Sequence, residues 1–146
     1  MEIRRARPDE WPACAEVYVR SGRAAFDWVD PEEFQAAKFY GWAEGGEEVY
    51  LAADAGKALG VLTFRRPGNA IHNLFVEPHA QGRGIGSALL AHALRIADGP
   101  IVLKCDAANA AALGFYARRG LTQTGRGVKD NGDAYIVFGP PAHGAS

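Results

Sequence analysis

The sequence predicts a single α/β domain, with a mixed central sheet of about six to seven strands and helices on both faces. The length of 146 residues is typical of one domain that buries a full core. Segments with a helical hydrophobic period alternate with segments of period two. A strand over 70–76, a long helix and a strand over 101–105 follow one another, which predicts a right-handed parallel crossover.

The first half of the chain is predicted to hold a short first strand, two helices and a three-stranded antiparallel meander. The first helix begins at 8–10. Four residues lie on its apolar face at helical spacing: Cys14, Val17, Tyr18 and Ser21. The second helix begins at Asp30 as its N-cap, with Pro31 in the first turn and Glu33 completing a capping box, and runs to about Ala43. The strands are expected at 2–6, 49–53, 58–65 and 70–76.

The second half is predicted to alternate between helices and strands. A helix runs from a glycine-rich segment to Ala97, and another begins at Asn109 as its N-cap and ends at Gly120. The strands are expected at 101–105, 121–126 and 134–138. We expect the domain to span 1–139 and positions 140–146 to form a flexible C-terminal tail.

Composition and charge exclude several classes of protein. The formal net charge is -1 at pH 7, and the chain lacks the basic excess that neutralises phosphate groups. We therefore expect no nucleic-acid partner and no membrane partner. No apolar stretch approaches a membrane span, and the first residues lack a signal-peptide core. Cys14 and Cys105 are interpreted as buried, reduced thiols, and the expected localisation is cytoplasmic.

A glycine-rich segment is the strongest functional signal in the sequence. It reads Gln81-Gly82-Arg83-Gly84-Ile85-Gly86 and is followed by Ser87. The segment lies between a predicted strand and a predicted helix, and the first amides of a helix have no partner within that helix. Because glycine has no Cβ, an anion can approach these amides closely. This arrangement is typical of a phosphate-binding site.

Spacing separates three kinds of phosphate-binding loop. The Walker A pattern does not occur in the chain. A dinucleotide fingerprint needs a third glycine where the chain has Ser87, although Asp106 lies about twenty residues further on, where a ribose-binding acid belongs. The pattern Gln-x-x-Gly-x-Gly is matched in full by Gln81, Gly84 and Gly86. This third form resembles the pyrophosphate loop of the GNAT superfamily of acyl-CoA-dependent N-acyltransferases.

A second motif strengthens the resemblance. GNAT proteins carry the pattern Asn-x-x-Ala-x-x-Phe-Tyr-x-x-x-Gly-Phe after the strand that follows the loop helix. The residues that match it are Asn109, Ala112, Phe115, Tyr116 and Gly120, with Leu121 in place of the final aromatic residue. The two motifs occur in the order typical of the family. The chain is therefore identified as a GNAT-like single domain, and the specific resemblance extends from about Ile71 to Leu121.

The resemblance implies an activity and a cofactor. A GNAT enzyme moves an acetyl group from acetyl-CoA directly to a primary amine, here of a small molecule or peptide, without a metal ion. The resemblance also implies these cofactor-binding residues: Leu74, Phe75, Val76, Gln81, Gly82, Arg83, Gly84, Ile85, Gly86, Ser87, Asn109, Ala112, Phe115 and Tyr116. A backbone amide near Val76 is expected to polarise the thioester carbonyl, and Tyr116 is expected to be the general acid toward the CoA sulfur.

The resemblance does not fix the general base. His72 alternates with Leu74 and Val76 on its predicted strand and is the catalytic candidate, since a histidine pKa of about 6.5 suits proton abstraction. The alternatives are a purely structural histidine, or Glu77 and His79 acting through water.

Acceptor preference is expected to reside in segment 21–34 and in the final hairpin turn, where GNAT members vary most. The acidic residues near Phe26 and Trp28 either attract a cationic, partly apolar amine or form a solvated helix start. Those residues are Asp27, Asp30, Glu32 and Glu33. Two other functions stay open: a non-catalytic acyl-CoA-binding or regulatory module, and a dinucleotide-binding oxidoreductase. The expected partner is the amine acceptor. For the oligomeric state, a homodimer is an alternative to a monomer.

Overall fold

The computed structural model describes residues 1–141, which form a seven-stranded mixed sheet and four α-helices. The strands are β1 (Glu2–Arg5), β2 (Glu48–Asp54), β3 (Lys57–Arg65), β4 (Ala70–Val76), β5 (Val102–Asp106), β6 (Leu121–Val128) and β7 (Ala134–Pro141). The helices are α1 (Trp11–Ala25), α2 (Ala36–Glu44), α3 (Ile85–Ile96) and α4 (Ala110–Arg118). Short 3-10 turns cover Pro8–Glu10, Pro31–Glu33 and Pro78–Ala80. None of the helices in this part of the chain is long and apolar enough to cross a membrane.

The strands follow the order β1-β2-β3-β4-β5-β7-β6 across the sheet. β4 and β5 run parallel, and all other neighbouring strands are antiparallel. The parallel pair is joined through α3, because a parallel connection must cross one face of the sheet. The predicted α/β fold with a mixed sheet and one parallel crossover is confirmed.

Helices cover both faces of the sheet, as predicted. α1 and α2 pack on one face, called here the α1/α2 face, together with Val49 and Leu51 of β2. α3 and α4 pack on the opposite face, called the α3/α4 face, together with Tyr50 and Ala52 of the same strand. Each helix layer therefore buries alternate residues of the strand, which explains the period of two in the sequence.

The predicted apolar face of the first helix is confirmed. Its four inward residues are at most 4% exposed: Cys14, Val17, Tyr18 and Ser21. α1 begins at Trp11, because a 3-10 turn occupies the first predicted turn. Both cysteines are free and buried. Burial raises the pKa of Cys14 to about 12 and that of Cys105 to about 11, so both stay protonated thiols at neutral pH.

The second predicted helix is broken in two. Asp30 accepts a hydrogen bond from the Glu32 amide at 2.9 Å, as a cap should, but only a 3-10 turn follows. The backbone then becomes extended at Phe34, and α2 begins after it. The cause is tertiary packing, because the Phe34 ring turns inward against Gly22 of α1 and is 6% exposed. A continuous helix would direct this ring away from that contact.

The last strand is longer than predicted. β7 continues to Pro141 instead of ending at Phe138. Its ladder with β5 stops where Leu103 pairs with Phe138, so the prolines that follow remove no hydrogen bond from that ladder. Beyond this point β7 pairs with β6, where Leu121 lies opposite Pro141. The rest of the predicted tail, positions 142–146, lies outside the described residues.

Candidate functional site

β4 and β5 separate from each other toward their carboxyl ends. They pair at two positions, Ala70 with Val102 and Ile71 with Leu103. Beyond these pairs the two strands line a crevice of roughly 500 Å³. A crevice at the carboxyl ends of adjacent parallel strands is a common place for a small ligand in α/β folds.

A β-bulge in β4 determines which way its side chains point. In the ladder with β3, Thr63 and Phe64 pair with the residues on either side of His72, which has no partner opposite it. A bulge bends its strand and shifts the alternation of side chains by one residue. As a result, His72 lies on the α1/α2 face, whereas Leu74 and Val76 pack on the α3/α4 face. The predicted common face of these three residues is therefore wrong.

Backbone groups of β4 face the crevice on the edge that β5 leaves open. The Glu77 amide donates to the Leu59 carbonyl of β3 at 2.8 Å. Because successive residues of a strand direct their backbone groups to opposite edges, the amide of Val76 points away from β3 and toward the crevice. The Val76 carbonyl accepts a long hydrogen bond from Gln81 Nε2 at 3.4 Å. This orientation suits the predicted donor near Val76, whose role stays a prediction.

The glycine-rich segment forms the turn into α3. Gly82 and Gly84 have φ angles of 84° and 79°, which residues with a Cβ rarely adopt. Gly84 is the N-cap of α3, and no side chain caps the helix. The first helical hydrogen bond runs from the Ala88 amide to the Gly84 carbonyl at 3.0 Å. The amides of 85–87 therefore have no partner within the helix, and with the helix dipole they suit an anion.

Two arginines border this turn. Arg83 forms an ion pair with Asp54 at 3.2 Å, and both side chains are about half exposed. Arg119, directly after α4, donates from Nε to Ser87 Oγ at 2.9 Å, and its guanidinium lies 4.3 Å from the centre of the Phe115 ring. Sequence reasoning missed Arg119, because the contact joins residues from distant parts of the chain.

The two sequence motifs meet in the structure. A Cβ built on Gly86 would lie 3.4 Å from Phe115 Cζ and 3.7 Å from Val76 Cγ2. The glycine therefore allows α3 to begin close to both α4 and β4. Asn109 caps α4 as predicted, since its side chain accepts a hydrogen bond from the Ala112 amide at 3.1 Å.

The predicted cofactor-binding residues form two adjoining groups. Five line the crevice: Leu74, Phe75, Asn109, Ala112 and Tyr116. Seven form the glycine-rich turn and the start of α3: Gln81, Gly82, Arg83, Gly84, Ile85, Gly86 and Ser87. Val76 and Phe115 lie between the groups, against the Gly86 position. The fold thus brings all of them into one continuous region.

Tyr116 lies where α4 meets the crevice. It is 8% exposed, and its ring packs against Phe115 and Phe138 with centroid distances of 5.2 and 5.5 Å. Burial raises the pKa of Tyr116, and the neighbouring Cys105 raises it further. The phenol therefore stays protonated at neutral pH, which is the state that a general acid requires. Its catalytic role stays a prediction.

His72 is held by a carboxylate on the opposite side of the crevice. Both Glu47 carboxylate oxygens lie 3.0 Å from His72 Nδ1, and the ring lies edge-on to Trp42 at 4.7 Å. Burial lowers the pKa of His72, and the hydrogen bond to Glu47 opposes this effect. The imidazole is therefore mainly neutral at neutral pH. With Nδ1 donating to the carboxylate, Nε2 remains the proton acceptor.

Glu47 carries no motif and was missed by sequence reasoning. Its side chain is 9% exposed and accepts a hydrogen bond from Arg65 Nε at 2.9 Å. Burial by itself would raise the pKa of Glu47, but the hydrogen bonds from Arg65 and His72 lower it below its ordinary value. An ionised carboxylate at Nδ1 fixes the tautomer and the orientation of the imidazole.

The two alternative bases do not line the crevice. The Glu77 side chain is 3% exposed and is held by Arg20 of α1, whose Nε lies 3.1 Å from each carboxylate oxygen. This ion pair ties the end of β4 to α1. His79 lies with Glu77 beside a second pocket. Of the three bases considered, His72 alone lines the crevice.

Two segments meet over the crevice on the α1/α2 face. In the loop after α1, Phe26 stacks on Trp28 at 4.9 Å and packs against Phe75 at 5.7 Å. The Trp28 indole donates from Nε1 to Asp106 Oδ2 at 3.1 Å. From the turn between β6 and β7, Lys129 forms an ion pair with the same carboxylate. The two predicted acceptor segments therefore come together at the carboxyl end of β5.

The acidic residues of the first acceptor segment have separate positions. Glu33 lines the crevice. Asp30 instead caps the 3-10 turn, which agrees with the alternative that the acidic residues form a solvated helix start. Within residues 1–141, no three His, Cys, Asp or Glu side chains are grouped so as to hold a metal ion.

Sequence comparisons link the chain to acetyltransferases. The sequence model of the acetyltransferase (GNAT) family matches residues 7–121. The chain is 28% identical over 145 residues to the peptidyl-lysine N-acetyltransferase YjaB of Escherichia coli (strain K12), covering 94% of each chain. It is 39% identical over 72 residues to the protein of the same name from Salmonella typhimurium, and that match spans 49% of each chain.

The fold comparison agrees with the sequence comparison. The structure of the paia N-acetyltransferase of Thermoplasma acidophilum in complex with coenzyme A has a TM-score of 0.73 at 17% identity, covering 93% of this chain and 96% of that one. At this identity the likeness concerns the fold alone. The antiparallel strands before the glycine-rich turn differ from the doubly wound sheet of dinucleotide-binding enzymes. Since the family match includes both motifs, the chain belongs to the acetyltransferase (GNAT) family.

Proposed function

We propose that this protein transfers an acetyl group from acetyl-CoA directly to a primary amine of a peptide or small molecule. The observation that carries the proposal is the crevice between β4 and β5, which Tyr116 and His72 both line. Direct transfer needs a proton acceptor for the amine and a proton donor for the departing thiolate. The two side chains approach the crevice from opposite faces of the sheet.

The residues of the glycine-rich turn and the crevice fit acetyl-CoA. The amides of 85–87 and the dipole of α3 suit a pyrophosphate, and the guanidinium groups of Arg83 and Arg119 border the same turn. The open edge of β4 offers backbone hydrogen bonds to an extended ligand arm. When bound, acetyl-CoA supplies the acetyl group as a thioester.

On the amine side, His72 is the general base. Its Nε2 accepts a proton from the acceptor ammonium group, directly or through one water. Glu47 holds the Nδ1 proton and stabilises the imidazolium that forms. Burial, helped by the charge of Arg65, lowers the pKa of His72, so the ring rests in the neutral form that accepts a proton.

On the thiolate side, Tyr116 is the general acid. Its buried phenol is protonated at neutral pH because burial raises its pKa. The Val76 amide, which points toward the crevice, donates to the carbonyl oxygen as negative charge develops there. These assignments use one side chain from α4 and one backbone group from β4.

A peptidyl lysine is the first acceptor class in this proposal. Two relatives are named peptidyl-lysine N-acetyltransferases. The rings of Phe26 and Trp28 suit the methylene stem of a lysine side chain, and the Asp106 carboxylate suits its ammonium group. Polyamines and free amino acids carry the same ammonium group and form the comparison set.

The first experiment measures ligand-dependent stability. Acetyl-CoA at about a hundred times its Kd should raise the free energy of unfolding by roughly 2.7 kcal/mol. NADH at the same concentration is the control and should have no effect. Stabilisation by NADH, with none by acetyl-CoA, would contradict the proposal.

The second experiment measures release of free thiol from acetyl-CoA. The acceptor is an N-terminally blocked peptide with a single lysine, and the control is the same peptide with arginine at that position. Spermidine and free lysine are tested beside them. Thiol release with the lysine peptide but not with the arginine peptide is expected. A protein that binds acetyl-CoA but releases no thiol in the presence of any of these acceptors would instead be a binding module.

A further inference from the structure

An ammonium group of the chain itself already lies on the acceptor side of the crevice. Lys129 Nζ forms an ion pair with Asp106 Oδ1, and the lysine side chain is 42% exposed while the carboxylate side chain is 11% exposed. The Trp28 indole holds the other oxygen, Oδ2, at 3.1 Å. The carboxylate is therefore fixed from one side by an indole and from the other by an ammonium group.

This lysine shares the crevice with both proposed proton-transfer groups. Lys129, Asp106, His72 and Tyr116 all line it. Lys104 and Asp106 alternate with inward residues of β5, and Asp106 meets Trp28 on the α1/α2 face, where His72 also lies. Lys129 thus approaches the crevice from the face assigned to the acceptor. Its side chain lines the crevice while its ammonium group is paired with Asp106.

The chain has three other lysines, of which Lys38 and Lys104 also line the crevice and Lys57 does not. Lys38 lies near Glu33 at 3.9 Å, and Lys104 Nζ lies 5.1 Å from the centre of the Tyr135 ring. Lys57 begins β3 and lies beside the second pocket. None of these three forms the ion pair with Asp106 that Lys129 forms, so they serve as internal comparisons.

We propose that Lys129 is an acetylation site of this protein, modified within its own crevice. The inference rests on the proposed function. In the step, a bond forms between Lys129 Nζ and the acetyl carbon, and the carbon–sulfur bond breaks. One ammonium proton passes to His72 and then to solvent, and a second is balanced by protonation of the thiolate through Tyr116. The products are acetylated Lys129, CoA thiol and one proton.

Acetylation changes the acceptor side in a defined way. An acetylated Nζ carries no charge and no longer pairs with Asp106. The turn keeps its two backbone hydrogen bonds, from the Lys129 amide to the Asp133 carbonyl at 2.8 Å and from the Gly132 amide to the Lys129 carbonyl at 2.9 Å, but it loses its link to Asp106 of β5 and opens more often. The Asp106 carboxylate then becomes available to the ammonium group of an external acceptor.

The test uses the intact protein and acetyl-CoA labelled with ¹³C in the acetyl group, with no added acceptor. Intact mass and fragment mass spectra give the rate of labelling at each lysine. Lys129 should be labelled at least about tenfold faster than Lys57, which lies outside the crevice, because an oriented group in the crevice reacts at high effective concentration. It should also be labelled faster than Lys104, which lines the crevice but has its Nζ over the Tyr135 ring. The rate should be first order and independent of protein concentration.

Each outcome distinguishes this inference from the proposed function. If acetyl-CoA stabilises the protein and Lys129 is labelled no faster than Lys57 and Lys104, the inference is wrong and the proposed function stands. A rate that rises with protein concentration also overturns it, since transfer then occurs between molecules. If acetyl-CoA neither stabilises the protein nor labels Lys129, both fail.

Variants supply two further readouts. Lys129→Arg should remove the labelled site, and Lys57→Arg should leave labelling of Lys129 unchanged. Without acetyl-CoA, Asp106→Asn should speed amide hydrogen exchange in the turn at 129–133, whereas Lys129→Arg keeps the charge pair and should not. Unchanged exchange in Asp106→Asn would overturn the claim that this carboxylate holds the lysine.

Discussion

The carboxylate of Glu47 lies 3.0 Å from Nδ1 of His72. Glu47 directly precedes β2, and His72 occupies the bulge of β4. Arg65 of β3 contacts both side chains, since its Nε lies 2.9 Å from the carboxylate and its Nη2 lies beside the imidazole, 3.1 Å from Nδ1 and 3.4 Å from Nε2. Three neighbouring strand regions therefore fix one imidazole at the edge of the crevice.

Glu47→Gln should change the pH dependence of kcat/KM. The carboxylate raises the pKa of His72 against the effect of burial, so its removal should lower that pKa. The acid limb of the profile should then move to lower pH. The plateau should fall by about tenfold or more, because the imidazolium loses its stabilising charge. Steady-state kinetics with the lysine peptide over a range of pH gives both quantities.

Glu48→Gln is the matched control for this variant. The Glu48 carboxylate is adjacent in sequence but pairs with Arg66 at 2.7 Å. It does not line the crevice, so the pH profile should match that of the wild type. A lower plateau for Glu47→Gln with an unmoved acid limb would indicate a structural role for Glu47 and would leave the base unassigned.

Gly84→Val should weaken acetyl-CoA binding. Gly84 has a φ of 79°, and a branched side chain there would occupy the space in front of the first amides of α3. We expect Kd to rise by at least roughly tenfold. Separately, a residue with a Cβ in the left-handed conformation costs about 1–2 kcal/mol of folding stability. Calorimetric titration with acetyl-CoA measures the change.

Gly68→Val separates backbone strain from ligand binding. Gly68 has a φ of 94° in the turn before β4, and a Cβ there also meets no atom within 4 Å. Both variants should lose similar stability in urea unfolding, and Gly84→Val alone should bind acetyl-CoA more weakly. Equal Kd values in the two variants would contradict a phosphate site at this turn.

Arg119→Ala should weaken acetyl-CoA binding in a salt-dependent way. Its guanidinium lies beside Ser87 at the start of α3, where it adds positive charge to the anion site. Salt screens an exposed charge, so the rise in Kd should be larger at low ionic strength than at high ionic strength. Arg118→Ala is the control, since that side chain folds over Gly114. Equal losses at both salt concentrations would argue against a phosphate contact.

Acid should destabilise the protein partly through Glu48. The hydrogen bond from Arg66 lowers the pKa of Glu48 from 4.5 to about 2. A carboxyl with a lower pKa in the folded state stabilises the fold above pH 4.5, and this contribution disappears as the pH falls toward 2. Urea unfolding at several pH values should show a smaller acid loss for Glu48→Gln than for the wild type. An equal loss in both proteins would contradict this contribution.

Local signals predicted the parts of the fold that local chemistry determines. The helix start at Asn109, the glycine-rich turn before α3 and the parallel crossover all depend on neighbouring residues or on chain connectivity. The sequence therefore indicated the glycine-rich turn and the strands that line the crevice. It also indicated Tyr116 by motif, although the burial of its hydroxyl group is a tertiary property.

The remaining features depend on contacts between distant segments. The prediction of the sheet face on which His72 lies was wrong because a bulge depends on the register between two strands, which the sequence of one strand does not reveal. The second helix breaks because Phe34 fits against Gly22, and no local signal reports that fit. Glu47, Arg119 and Lys129 have partners brought near by the sheet or by helix packing, so single-sequence patterns could not select them.

Tyr116→Phe tests the general acid. Phenylalanine keeps the ring that packs against Phe115 and Phe138, so stability and the Kd for acetyl-CoA should change little. Loss of the hydroxyl group should lower kcat by roughly 10–100-fold, near the lower end of general acid catalysis, because a thiolate is already a fair leaving group. The KM for the acceptor should stay nearly constant, since an interaction made only in the transition state lowers kcat and kcat/KM together. Tyr50→Phe is the control, because that hydroxyl donates to Glu48 away from the crevice and its loss should leave kcat unchanged. A kcat for Tyr116→Phe equal to that of the wild type, measured where chemistry limits the rate, would assign Tyr116 to packing alone.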